Sequence, residues 1–137
     1  MSKATDKLQA AQQKAMANRP KVGGFPYLAE TLRQADVLSN TWTLPSCQSI
    51  YVLKDGPVVF QGTPLVSGMV DIPSFDESAL IAAIRADQTG KSTFPEFLEA
   101  TWKSGVIWYR ADFLKHTVTY GGVNGESYVE SYPAAKT

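Results

Sequence analysis

Apolar residues fall at helical spacing in four stretches of the chain, and two further blocks alternate apolar with polar residues as strands do. In residues 5–18, Leu8, Ala11, Ala15 and Met16 lie on one side of a stretch rich in strong helix formers. That stripe is thin, which suits a helix at the edge of a core or against another subunit. The segment NRPKVGG then ends it. Phe25, Leu28 and Leu32 mark a second helix over 25–34, with Pro26 in the first turn, where its missing N–H costs nothing. From residue 40 the chain turns β-branched and aromatic, punctuated by Pro and Gly. This predicts strands at 40–44, 49–54 and 57–61 and a further strand at 66–71, with Asp55-Gly56 as a hairpin turn.

Residues 74–89 predict a third helix. Ser74 and Glu77 form its capping box, Leu80, Ile81 and Ile84 face inward, and Gly90 closes it. Thr93 and Glu96 make a second capping box before a fourth helix, which buries Phe94, Phe97, Leu98 and Trp102 and stops at Gly105. Three antiparallel strands follow at 106–113, 117–122 and 126–132, with Asn124-Gly125 turning between the last two and a frayed tail after Pro133.

Two of these stretches echo each other. FPYLAETLRQADV at 25–37 and FPEFLEATWKSGV at 94–106 align without a gap. They share Phe25/Phe94, Pro26/Pro95, Glu30/Glu99 and Val37/Val106, although Asp36 stands where the second copy has the helix-stopping Gly105. With matching flanks, the order α-α-β-β-β is expected twice, in halves at about 5–71 and 74–133. Convergence on common helix starts is the competing explanation. Either way the expected class is α+β, one domain over residues 1–137, with antiparallel sheet packed against helices.

Composition narrows the class of function. At 44% apolar and 19% charged residues, the 137-residue chain can fold on its own core. Net charge is zero, split as +3 over residues 1–69 and −3 over 70–137. Without a strong basic stripe, nucleic acid is an unfavoured partner. A single cysteine, Cys47, excludes an intramolecular disulfide, and no apolar run is long enough to span a membrane. The N-terminus also lacks a signal-peptide core, so the expected location is the cytoplasm.

The last block resembles a known family. Phe94-Pro95, Gly105-Val106, Tyr109, Asp112, Thr119-Tyr120 and the Asn124-Gly125-Glu126-x-Tyr128 run are similar to a family of small bacterial proteins of unknown function. Its members also occur in prophages and are sometimes labelled phage envelope protein. The match is good over about the last 45 residues, and RPKVGGFPYLAETLRQADV and LPSCQS extend it to longer members. The resemblance implies a fold but no activity, cofactor or partner.

Residues able to do chemistry are few. His116 is the only histidine and precedes a strand, where an exposed hairpin side chain is the plainer explanation than a general base. Cys47 sits at a strand start without a visible base, which suits a small half-buried residue. One His and one Cys cannot close a zinc site, no calcium-loop or phosphate-loop spacing occurs, and no cofactor or metal is expected. The aromatic strands stand out instead. Trp108 and Tyr109 must point to opposite faces, one into the core and the other toward a groove or water. Tyr109, Asp112, Tyr120, Glu126 and Tyr128 are the candidate ligand-binding residues, with Tyr120, Asp112 and Glu126 expected to line one pocket after strand pairing.

Two classes of function stay open. The first is a non-catalytic binding or assembly module that presents an aromatic and polar sheet surface to a small molecule, a protein or a second copy of itself as a homodimer. The second is a small enzyme using Asp112, Glu126, Tyr120 or His116 for acid–base work, which requires at least two of those side chains to converge in a deep pocket.

Overall fold

The computed structural model describes residues 2–18 and 24–134. The expected helix break at 19–23 and the tail at 135–137 lie outside the described residues. Within them the chain runs α1 (Lys3–Asn18), α2 (Gly24–Gln34), β1 (Val37–Thr43), β2 (Gln48–Leu53), β3 (Gly56–Gln61), α3 (Glu77–Gln88), α4 (Phe94–Lys103), β4 (Val106–Asp112), β5 (Thr117–Gly122) and β6 (Ser127–Ser131). The fold is α+β.

All six strands join one antiparallel sheet in the order β3-β2-β1-β4-β5-β6. Each half supplies a three-stranded meander, and the halves meet where β1 pairs with β4. Geometry repeats along with element order. β1 and β4 both shift register after their first residue, between Val37 and Ser39 and between Val106 and Trp108. Left-handed backbone occurs at Asp36, Cys47 and Gly56, and again 69 residues later at Gly105, His116 and Gly125. Asp36 therefore takes the same conformation as the Gly105 it stands against. A short polar side chain tolerates that region, and Asp36 is held there by a 3.2 Å ion pair to Lys7.

The helices cover one face. On that face Trp42, Tyr109, Tyr120 and Tyr128 pair in register across four strands. Phe94 and Phe97 of α4 meet Trp42 and Tyr109 edge-on, at ring separations of 5.2 and 6.3 Å. Tyr51 faces Gln12 of α1, and Phe25 of α2 packs edge-on against Tyr132. Leu80, Val37 and Val106 are fully buried between the layers. One polar pair is also enclosed: Asn40 donates from Nδ2 to Ser49 Oγ at 2.6 Å, which removes the cost of burying either group alone.

Two local expectations are corrected. The capping residue of α3 is Asp76, whose carboxylate accepts from Ala79 N, so the helix begins at Glu77 and Ser74 stays in the approach. Residues 66–71 form no strand. Leu65 N–H is spent on Pro45 O, and the chain then leaves the edge of β3 to reach α3. By contrast, the Thr93/Glu96 capping box is formed as expected, and Gly90 sits at φ 73° while Lys91 N and Gly90 N close the end of α3 on Ala86 O and Asp87 O.

Candidate functional site

Alternation along each strand sends half of its side chains toward the helices and half away. Tyr109 and Tyr120 point inward and are buried, with ring centroids 5.6 Å apart. Burial drives both phenols far above their usual range, and the charges of Asp87 and Glu130 push Tyr120 further up. Neither is a base near neutral pH. Tyr128 lies at the rim of the same row and donates to Glu130 Oε2 at 2.6 Å. Glu130 Oε1 in turn accepts from Arg85 of α3 at 2.5 Å. This Tyr128–Glu130–Arg85 chain ties the edge strand to a helix. The sequence holds only half a signal for it: Tyr128 and Glu130 share a face two residues apart, but Arg85 is brought in by packing alone.

Burial raises the Glu130 carboxyl, yet the bonds from Arg85 and Tyr128 outweigh it and hold the group below the usual glutamate range. A lowered folded pKa means stability that is complete above the unfolded value and lost as pH falls through the folded one. Glu30, Asp55 and Glu96 are lowered as well, so all four act in the same direction. Glu130→Gln is expected to remove part of the stability loss between about pH 5 and pH 3, read as a shallower slope of unfolding midpoint against pH. An unchanged slope would show that the chain of bonds contributes nothing.

The pocket expected from Tyr120, Asp112 and Glu126 is not formed. Asp112 Oδ1 accepts from Leu114 N and Lys115 N, both at 3.0 Å, and so caps the β4–β5 turn. Glu126 Oε1 accepts from Asn124 N at 2.8 Å in the β5–β6 turn. Consecutive hairpin turns lie at opposite ends of the strand they share, so the six residues of β5 hold these carboxylates roughly 17–20 Å apart. His116 is elsewhere again. It has φ 56° and stacks on Tyr132 with ring centroids 5.1 Å apart. Among the described residues no group of three or more His, Cys, Asp or Glu side chains could hold a metal ion. A shallow groove of about 310 Å³ is lined by Lys14, Tyr27, Glu30, Thr31 and Gln34, none of them a candidate from the sequence.

What remains is the face that no helix covers. Register pairing sets three rows across all six strands there. The central row is Val59, Ile50, Thr41, Arg110, Thr119 and Val129. On one side of it run Pro57, Val52, Ser39, Asp112, Thr117 and Ser131, and on the other Gln61, Gln48, Thr43, Trp108, Gly121 and Ser127. Ile50, Val52, Val59 and Val129 are between 40 and 61% exposed, which is unusual for aliphatic side chains on a sheet. Trp108 is the half-buried partner that the alternation required opposite Tyr109, and its ring lies over Gly121. A Cβ at Gly121 would sit 2.1 Å from Trp108 Cε2. Gly121→Ala is expected to lift that ring off the sheet at a cost of about 1 kcal/mol, seen as a red-shifted, more quenchable tryptophan emission. Emission identical to that of the parent chain would mean that the ring is not seated there.

Comparison with known proteins places the chain among bacterial relatives. No family model matches it. Uncharacterized proteins of Mycobacterium tuberculosis and Mycobacterium bovis are each 49% identical to it over 136 residues. The alignments cover 99% of this chain and 83% of each relative. Among the described residues no helix is long and apolar enough to cross a membrane. With nearly the whole chain aligned at that identity, it belongs to the family of small bacterial proteins that includes these mycobacterial relatives.

Proposed function

We propose that the chain is a non-catalytic binding or assembly module that works in the cytoplasm, and that the uncovered face of its sheet is the contact surface. The observation that carries this reading is the side-chain content of that face. It holds four exposed aliphatic chains and the edge of Trp108 among Thr, Ser and Gln, with Arg110 and Asp112 as its charged groups. Water contact with so much apolar surface is costly, and a partner removes it.

The acid–base alternative draws less support. It relies on Asp112, Glu126, Tyr120 and His116, of which two are turn-capping carboxylates at opposite strand ends and one is an enclosed phenol with a raised pKa.

We also propose that the two halves are copies of one α-α-β-β-β unit and together make one domain. The 69-residue offset of bulges and left-handed positions supports this more than the four shared residues do, because backbone geometry at those points has no common helix-start explanation.

Carbene footprinting tests the contact surface. In native extract, Ile50, Val59 and Val129 should be labelled less than in the dilute pure chain, whereas Glu99, exposed on α4, should be labelled equally. Protection confined to the helical side, or equal labelling everywhere, would sink the reading.

A further inference from the structure

Resting on the reading that the open sheet face is a contact surface, we infer that its occupant is a second copy of this chain, related by a two-fold axis lying in the plane of contact. The charges on the face choose the partner. Arg110 and Asp112 are two residues apart on β4, so they share the face in adjacent rows, one cation and one anion. A surface of one sign selects a partner of the opposite sign. This surface is neutral and carries both signs side by side, which is the pattern that the same surface complements. An axis crossing β4 between Arg110 and Asp112 sets each guanidinium over the other copy's carboxylate. A two-fold contact is self-complementary in just this sense.

The apolar positions are compatible with the same pairing. Val59 and Val129 form the two ends of the central row, on the outermost strands, with Thr41 and Arg110 between them at the β1–β4 seam, where Arg110 donates to Thr41 Oγ1 at 2.9 Å. Side chains of this size interdigitate between stacked sheets. Area is sufficient. Six strands about 4.8 Å apart and about 20 Å long give roughly 600 Å² in plan, the lower bound per partner of a specific interface. That predicts a reversible dimer rather than an obligate one. Joining edge to edge is the less suited arrangement, because Pro57 interrupts the donors of the outer strand β3.

Sedimentation velocity of the pure chain over nanomolar to hundred-micromolar concentration is the test. A species of twice the 14.9 kDa chain mass should form with micromolar dissociation. Arg110→Glu, which opposes like charges, and the pair Val59→Lys with Val129→Lys should each weaken it by about tenfold or more. Glu99→Lys on the helical side should leave it unchanged. Far-UV circular dichroism checks that each variant is folded. In the parent chain itself, acrylamide quenching of the Trp108 contribution, taken by difference from Trp108→Phe, should fall as the dimer forms. A chain that stays monomeric throughout overturns the second-copy inference and, if Ile50, Val59 and Val129 are still protected in extract, leaves the contact-surface reading standing. A dimer that persists in all sheet-face variants with Trp108 quenching unchanged overturns the inference by placing the contact elsewhere.

Discussion

Gly105→Ala is expected to be among the most destabilising single substitutions in the chain, lowering unfolding free energy by about 2–5 kcal/mol. Two effects add. Gly105 has φ 87°, where an L side chain costs about 1–2 kcal/mol. A Cβ there would also lie 2.5 Å from Ser74 O and 2.6 Å from Phe75 Cα, and backbone cannot swing aside as a side-chain end can. Relieving that clash costs about 1–3 kcal/mol more. The crowding arises because the chain entering α3 is laid across the α4–β4 corner, with Asp76 N bonded to Ser104 O at 2.8 Å. Gly68→Ala separates the two effects. Gly68 has φ 68° but nothing within 4 Å of its added Cβ, so only the conformational cost of about 1–2 kcal/mol applies. Denaturant midpoints at constant slope measure both. Equal losses at the two positions would refute the steric part.

Trp42→Ala carries the second large effect, about 3–5 kcal/mol. Trp42 is a residue of the first half whose aromatic partners belong to the second: it stacks on Tyr109 at 6.2 Å and meets Phe94 edge-on at 5.2 Å. Its removal leaves a cavity at the seam rather than within either half. Both halves should therefore lose stability together. Unfolding followed by far-UV circular dichroism and by fluorescence of the two remaining tryptophans, Trp102 in α4 and Trp108 in β4, should give coincident single transitions at a lower midpoint. Separation into two transitions, with only one displaced, would mean that the halves fold as independent units.

Much of this architecture was legible locally. The Thr93/Glu96 box, Pro26 and Pro95 in first turns, and the Asp55-Gly56 and Asn124-Gly125 turns act through neighbours a few residues away, so their sequence signal is complete. The strand expected at 66–71 shows the opposite case. The β-branched, Gly-punctuated composition there suggested a strand, but a strand also needs a partner's backbone, and residues 66–71 have no ladder partner. The start of α3 differed for a similar reason: Ser74 and Asp76 both suit a cap, and contact of residues 74–75 with Gly105 left the role to Asp76.

For the candidate site, alternation correctly set Trp108 and Tyr109 on opposite faces but could not tell which face the helices would cover. The separation of Asp112 from Glu126 was in principle readable, since turns of consecutive hairpins never meet. Ile50, Val52, Val59 and Val129 were invisible as a surface, because apolar residues on either face of a strand look like core until the covered face is known.

By itself, then, the sequence determined the class, the helices and hairpins, and the repeated order of elements, because caps, turns and periodicity are short-range. Tertiary structure decided that the two meanders merge through β1 and β4, that the helices lie on one face, and hence that the tyrosines are sealed while the aliphatic face is open. Those outcomes depend on which surfaces meet across tens of residues, and burial of the aromatic row beneath the helices is what selects them.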